Sequence, residues 1–367
     1  MSVESHTHEV LTERHGRLGV ITLNRPQTLN ALNLDMVEQL DYILAAWAGD
    51  SAIDAVLIRS SSKRAFCAGG DVRSIGILPD PMQRMALGRA FFSVEYRVNY
   101  RINKYPKPFI ALINGIAMGG GLGVSIHGSH RVVGETVRMA MPETVLGFFP
   151  DVGATWFLNR GPVWIARYLA LTGPHIGAAD ALTAGLATHH VPIAAFDDVV
   201  TALGTARRLD AEVVNNILDQ RAVNPMCGHL AHRAPNLARL FAGDDLDSVI
   251  TTIEEAASHA AWVAEIQTAL RRASPTSLRA TWRRIVQGKD RTIERVLTDD
   301  YRMAVRVVGD HDFAEGVRAI LVDKDQSPRW KPASLSKVTE SAIDALLAPL
   351  PVATDGVGQR GGDLEME

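Results

Sequence analysis

Short apolar, β-branched runs alternate with helical patterns in the first part of the chain, and this alternation restricts the fold more than any other feature. Strands are predicted over residues 18–23, 54–60 and 109–113. Between them, apolar residues recur at helical spacing over residues 34–47, and residues 83–104 also have a helical pattern. Strands that alternate with helices predict an α/β layered fold.

The composition of the sequence changes after about residue 160. Ala, Leu, Arg and Glu dominate from there on, and strand-like runs become scarce. We predict an α/β core over residues 1–200 and a mostly helical region over residues 201–349. Residues 350–367 are polar and rich in glycine, so we expect a disordered tail there.

Charge and cysteine content exclude several classes of protein. The 367 residues carry a net charge of −3, with the basic residues scattered, so we expect no nucleic-acid partner and no membrane partner. Two cysteines give no disulfide framework and favour a reducing compartment. Because the N-terminus is polar and contains acids, it resembles neither a signal peptide nor a transit peptide, and we predict a cytoplasmic protein.

Two glycine-rich turns each follow a predicted strand. One is FCAGGD at residues 66–71, and the other contains Gly119, Gly120 and Gly121. Three consecutive glycines cost a helix roughly 1 kcal/mol each relative to Ala, so a close approach of the backbone to a ligand or to another helix is the usual reason for them. N–H groups at such turns can stabilise an oxyanion. A plain strand-to-helix turn is the alternative at residues 66–71, and a phosphate loop fits the triple glycine poorly.

Two carboxylates follow prolines in an apolar part of the sequence. Glu143 follows Pro142, Asp151 follows Pro150, and Met, Leu and Phe residues surround both. An apolar environment raises the pKa of a carboxyl group, as catalysis often requires. Although loop acids are more commonly solvated or at a helix N-cap, these residues favour a catalytic role for Glu143. For Asp151 the two interpretations remain balanced.

The cysteine and histidine residues give weaker indications. Cys67 is either a nucleophile or a small apolar core residue, and the absence of a histidine nearby in the sequence favours the core residue. The spacings of His127, His130, His189 and His190 match no zinc motif. We therefore predict no metal site.

The motifs together resemble a known family. FCAGGD, NGIAMGGGLG, MPET and FPDVG, in this order and spacing, are similar to the crotonase (enoyl-CoA hydratase/isomerase) superfamily. VEYRVNY, LALTG, SPTSL and above all HDFAEGVRAILVDKDQSPRWKP resemble its 3-hydroxyisobutyryl-CoA hydrolase branch. The resemblance covers roughly residues 10–335, and it implies an α/β fold, a crotonase-like spiral of ββα units followed by a helical C-terminal region.

The resemblance also implies roles for individual residues. The two N–H groups of the family's oxyanion hole correspond to Gly70 and Gly120, and the family's catalytic Glu and Asp correspond to Glu143 and Asp151. Glu95 corresponds to a substrate-contacting glutamate of the hydrolases, a role that depends on the resemblance alone.

Two other residues of the first turn, Ala68 and Asp71, are expected to contact the substrate as well. Hydratases of the family have a second catalytic glutamate just after the glycine run, and here that position is Gly123. Adding water across a double bond requires an acid–base pair, so this difference favours hydrolysis.

The expected reaction is hydrolysis of the thioester of a short 3-hydroxyacyl-CoA, with CoA as part of the substrate and no other cofactor. Glu143 either attacks the carbonyl carbon or activates water, and the sequence does not distinguish these. The 3-hydroxyisobutyryl and 3-hydroxypropionyl groups differ by one methyl, which leaves the acyl preference open. Alternatives are a hydratase or isomerase, a dehalogenase-like enzyme and a non-catalytic acyl-CoA-binding protein, and the resemblance suggests a homo-oligomer.

Overall fold

The computed structural model describes residues 9–256, 260–351 and 364. Most of the tail that was expected to be disordered lies outside these ranges. Two compact units can be distinguished, and each consists of three segments of the chain. The first unit comprises Met1–Gly70, Val94–Ala140 and His175–Arg233, and the second comprises Asp71–Ser93, Met141–Pro174 and Ala234–Glu367. The units interleave along the sequence, whereas the predicted division is a single boundary at residue 200.

The strands lie in the first unit. They are β1 Val10–His15, β2 Leu18–Leu23, β3 Ala55–Ser60, β4 Ala65–Cys67, β5 Phe109–Ile113, β6 Ile116–Met118, β7 His130–Val133, β8 Arg138–Ala140 and β9 His189–His190. The helices are α1 Leu34–Gly49, α2 Val72–Gly76, α3 Pro81–Asn103, α4 Gly120–Ile126, α5 Ala154–Leu158, α6 Val163–Thr172, α7 Ala178–Thr183, α8 Phe196–Thr205, α9 Ala211–Asp219, α10 His229–Leu240, α11 Leu246–Glu255, α12 Ala261–Arg272, α13 Pro275–Gln287, α14 Ile293–Val307, α15 His311–Val317 and α16 Glu340–Leu347.

The strands of the first unit form two sheets. Six strands lie in the order β1-β2-β3-β5-β7-β9, and three lie in the order β4-β6-β8. Apart from the antiparallel pair β1 and β2, all neighbours are parallel. The successive pairs β3 and β4, β5 and β6, and β7 and β8 each contribute one strand to each sheet. This repetition is the predicted spiral of ββα units, which is thereby confirmed.

The local signals of the sequence explain the main elements of this unit. All residues of β2 and β5 are buried, as expected for the continuous apolar runs of a parallel sheet. Helix α1 begins after Asn33, whose side chain accepts a hydrogen bond from the Met36 N–H (2.9 Å). Strands of three residues, such as β4 and β6, were missed because so short a run has no readable periodicity.

One face of the larger sheet packs against α8 and α9. Leu57 and Ile110 of the sheet share a buried apolar cluster with Leu203 of α8 and Leu218 of α9. The second unit is built mainly from helices, as predicted for the later part of the chain. Among the described residues, no helix is long and apolar enough to cross a membrane.

Candidate active site

The first glycine turn directs the Gly70 N–H away from the backbone of Leu32. Gly69 follows β4 closely and has φ +109°, a value that favours glycine. Its carbonyl accepts a hydrogen bond from the Leu32 N–H (2.8 Å). Because a trans peptide directs C=O and N–H to opposite sides, the Gly70 N–H points away from Leu32.

The second glycine turn orients its N–H group in the same way. Gly119 has φ +45°, and its carbonyl accepts hydrogen bonds from Leu122 (2.8 Å) and Gly123 (3.1 Å) within α4. The N–H of Gly120 belongs to the same peptide and therefore points out of the N-terminal end of the helix. The first N–H groups of a helix have no acceptor within it, so this donor is available to a ligand.

The two N–H groups lie close together beside a buried carboxylate. A methyl group placed on Gly120 would lie 3.0 Å from the Gly70 nitrogen and would overlap with Oε1 of Glu95. Glu95 lies on α3 and is 1% exposed. In the described ranges no backbone carbonyl outside helices and strands accepts a hydrogen bond from either N–H. An oxygen atom of a ligand placed beside Glu95 can therefore accept hydrogen bonds from two main-chain donors, the arrangement that stabilises an oxyanion.

The other two residues of the first turn that were expected to contact the substrate have local structural roles. Ala68 is half-buried, and its N–H donates to the Leu29 carbonyl (3.0 Å). Asp71 is the N-cap of α2, where its carboxylate accepts from the Ser74 N–H (3.4 Å). Substrate contact by these two residues stays a prediction.

Glu143 lies on a short 3₁₀ turn in the second unit. The turn spans Glu143–Leu146 and ends at Gly147, which has φ +65°. The Gly147 and Phe148 N–H groups donate to the Glu143 carbonyl. Glu143 is buried, and within the described residues its Oε2 accepts no hydrogen bond.

Asp151 lies on a strained loop in the same unit. The next two residues, Val152 and Gly153, have φ +50° and +81°, and such values are unfavourable for a β-branched residue. The Gly153 N–H donates to Oδ2 of Asp300 (2.9 Å), and Arg284 donates to the other oxygen of that carboxylate (2.5 Å). This buried ion pair fixes the loop behind Asp151.

Glu143 and Asp151 interact electrostatically. Burial raises the pKa of Glu143 well above its ordinary value, and the negative charge of Asp151 raises it further. Asp151 is also buried. A buried carboxylate that has a charged neighbour and lacks a hydrogen bond on one oxygen is a strong base once it is deprotonated, and it is a good candidate for a nucleophile or a general base.

The other reactive side chains fit core roles. Cys67 is buried, and burial raises the pKa of its thiol to about 12, which keeps it protonated. His130 contacts Ser129 Oγ (2.8 Å) and Asn215 Oδ1 (3.1 Å). In the described part of the chain, no three His, Cys, Asp or Glu residues are placed to hold a metal ion.

Solved structures of other proteins are similar to this chain over nearly its whole length. A structure titled as a carnitinyl-CoA dehydratase from Mycobacterium thermoresistibile is 34% identical, with a TM-score of 0.86 and coverage of 98% of this chain and 99% of that one. A structure titled as an enoyl-CoA hydratase from Rhodobacter sphaeroides 2.4.1 is 39% identical, with a TM-score of 0.84 and coverage of 93% and 98%. The fold is therefore that of the crotonase-type enzymes.

The sequence comparisons show the family. The model of the family described as enoyl-CoA hydratase/isomerase matches residues 18–347, so the chain belongs to this family. Proteins named "3-hydroxyisobutyryl-CoA hydrolase, mitochondrial" are similar to it over most of their length. The one from Danio rerio is 39% identical over 93% of this chain and 90% of its own length. The one from Homo sapiens is 38% identical over 94% and 90%.

The structure also shows polar residues around the two carboxylates that sequence reasoning missed. Arg284 and Asp300 hold the loop of Asp151, and Ser274 and Asp312 lie behind the turn of Glu143. Ser274 begins the motif SPTSL and Asp312 belongs to HDFAEG, so the only signal for them was the family resemblance.

Proposed function

We propose that this chain hydrolyses the thioester of a short 3-hydroxyacyl-CoA, with 3-hydroxyisobutyryl-CoA as the first choice, to the free hydroxy acid and CoA. The observation that carries the proposal is the pair of N–H groups of Gly70 and Gly120, which lie close together beside Glu95. The names of relatives that are 38% and 39% identical support the acyl group.

The proposed reaction has two components, a pair of main-chain donors and a reacting carboxylate. The N–H groups of Gly70 and Gly120 bind the carbonyl oxygen and stabilise the negative charge that it gains when the carbon is attacked. Glu143 either attacks this carbon, giving an anhydride that water then cleaves, or takes a proton from an attacking water. The C–S bond breaks, and the CoA thiolate leaves. Asp151 binds the 3-hydroxyl group or assists proton transfer, and Glu95 helps to orient the hydroxyacyl group.

Hydration of a double bond is the nearest competing function, and the solved structures titled as a hydratase and a dehydratase make it worth testing. Against it, Gly123 occupies the position of the second hydratase glutamate, and its N–H is bound to the Gly119 carbonyl inside α4. No carboxylate can act from that position. If crotonyl-CoA loses its double-bond absorbance at a rate that exceeds thioester cleavage, hydration is the function.

CoA enters as part of the substrate, and the two N–H groups take the place of a Lewis acid, so the proposed chemistry requires no metal or redox cofactor. A 3-hydroxyisobutyryl-CoA substrate would place the reaction in valine degradation. Cytoplasmic location and a homo-oligomeric state remain predictions.

The decisive experiment measures release of free thiol from a panel of acyl-CoA esters, with and without a 3-hydroxyl group. We expect the 3-hydroxyacyl esters to be the best substrates. Glu143→Gln should lower kcat by about 10²–10⁴-fold if Glu143 is a general base, and by more if it is the nucleophile. Glu135→Gln is the matched control, because Glu135 is exposed. Turnover by Glu143→Gln at the wild-type rate would remove Glu143 from the mechanism.

A double variant tests whether the two components act on the same carbonyl. Gly120→Ala and Glu143→Gln should be less harmful together than the product of their separate effects, because residues that act as a unit are not additive. Fully multiplicative losses would show that the two residues serve independent steps.

A further inference from the structure

We infer that Ser274 and Asp312 are positioning residues for the 3₁₀ turn of Glu143, and that the motif HDFAEG at residues 311–316 serves to hold this turn. The inference rests on the proposed function, in which Glu143 reacts, and it extends that function to residues that support the turn of Glu143. The motif was the strongest part of the family resemblance, yet no physical role for it could be read from the sequence.

A chain of buried hydrogen bonds links Asp312 to the turn. The Ser274 N–H donates to the carbonyl of Thr144, the residue after Glu143 (3.0 Å). The Ser274 hydroxyl donates to Oδ2 of Asp312 (2.7 Å). Ser274, Thr144 and Asp312 are 0%, 1% and 5% exposed, so water cannot easily replace either bond.

Asp312 is itself held in place on its other oxygen. Oδ1 accepts a hydrogen bond from the Lys331 N–H (2.7 Å) and lies 3.1 Å from Nδ1 of His311. The carboxylate therefore connects α15, the start of α13 and the segment around residue 331. Such a fully bonded buried group is a rigid support for a neighbouring backbone.

Two glycines allow the backbone of α15 to lie directly against the turn. A methyl group on Gly147, at the end of the turn, would overlap with the carbonyl of Asp312. A methyl group on Gly316 would overlap with the backbone of Leu146. Only residues without a side chain permit contact this close. The backbone of α15 therefore contacts the backbone of the turn at two points.

The state of the Glu143 carboxylate explains why this support matters. Within the described residues, Oε2 of Glu143 accepts no hydrogen bond. No hydrogen bond from these residues to Oε2 therefore fixes the carboxylate, and the backbone of its turn sets the point from which the side chain extends. A group that must reach a reacting carbon loses about 10²-fold in rate for a displacement of about 1 Å.

Hydrogen exchange tests the positioning without any need for activity. Asp312→Ala and Ser274→Ala should increase the exchange rate of the amides over residues 141–149 by about tenfold, because the bond to Thr144 loses its support. Thr292→Ala is the matched control. Thr292 caps α14 as Ser274 caps α13, so its loss removes an equivalent cap away from the turn.

Kinetics with 3-hydroxyisobutyryl-CoA separate positioning from general stability. For the folded fraction, we expect Asp312→Ala to lower kcat by about 10–100-fold with KM changed less than about threefold, and Asp312→Asn to restore much of kcat. Thr292→Ala should keep wild-type kcat. If Asp312→Ala does not fold, the exchange rates and kcat of Ser274→Ala test the inference.

The outcomes distinguish the inference from the proposed function. A wild-type chain that cleaves no acyl-CoA ester refutes the proposed function, whereas the exchange over residues 141–149 still decides the positioning. Folded Asp312 and Ser274 variants with wild-type exchange over these residues and wild-type kcat would overturn the inference.

Discussion

Replacing Gly120 by alanine is the most direct perturbation of the two main-chain donors. The added methyl group would lie 3.0 Å from the Gly70 nitrogen and would overlap with Oε1 of Glu95, so it would fill the space assigned to the substrate oxygen. Loss of a single oxyanion donor typically lowers kcat by about 10²–10³-fold, or about 2.7–4 kcal/mol. Because the methyl group obstructs both donors, we expect kcat/KM to fall by at least about 10²-fold.

The same substitution should leave the fold intact. Alanine is favoured over glycine in a helix by about 1 kcal/mol, and the carboxylate of Glu95 is the end of a flexible side chain that can move. A change of about 1 kcal/mol moves Tm by only about 2–4 °C in a domain of 150–250 residues. Circular dichroism and a thermal scan should therefore resemble those of the wild-type protein.

Two controls make the Gly120→Ala result interpretable. Gly49→Ala adds a methyl group at the end of α1, where no described atom lies within 4 Å of it apart from its chain neighbours and the nearby helix backbone, and it should keep full activity. The double variant with Glu95→Ala removes the side chain that the methyl group displaces. If the loss disappears in that background, it came from Glu95 and not from the donors. Wild-type kcat/KM for Gly120→Ala alone would refute the assignment of the oxyanion hole.

Three further predictions follow from the charged groups. Asp151→Asn removes a charge that raises the pKa of Glu143, so the acidic limb of kcat/KM against pH should move to lower pH, and an unchanged or opposite shift would contradict the coupling. Burial is the main reason that the pKa of His130 is lowered to about 4. Its contribution to the free energy of unfolding is therefore fully present above about pH 6.5 and is lost towards pH 4, because the unfolded chain takes up the proton first. His130→Gln should make urea unfolding free energies at pH 7 and pH 5 more alike, by up to about 2 kcal/mol after allowance for solvent screening, and an equal pH dependence in both proteins would argue against this role. Asp300→Ala leaves the buried Arg284 without this partner and should cost about 3–5 kcal/mol of stability in thermal unfolding, whereas a neutral result would show that the pair is dispensable.

The regular elements could be predicted where local chemistry is strong. The strands β2, β3 and β5 and the helix α1 followed from apolar runs and helical spacing. The interleaving of the two units could not be predicted, because their segments are separated by long stretches of sequence. Contacts between distant segments leave no periodicity in the sequence.

The sequence by itself determined the types of residue available for catalysis. Its two glycine turns and two proline-flanked carboxylates indicated acyl chemistry, and the ordered motifs indicated the family. These signals are local, because glycine conformations and strand ends depend on neighbouring residues.

Only the tertiary structure decided how these groups are oriented and supported. Gly70 and Gly120 are 50 positions apart, yet their N–H groups lie close together, and the carbonyl of each of these two peptides is hydrogen-bonded on the opposite side. Likewise, the support of Glu143 by Ser274 comes from more than 100 residues away. The direction of a peptide group and the burial of a carboxylate depend on what packs around them, and a linear sequence does not specify that packing locally.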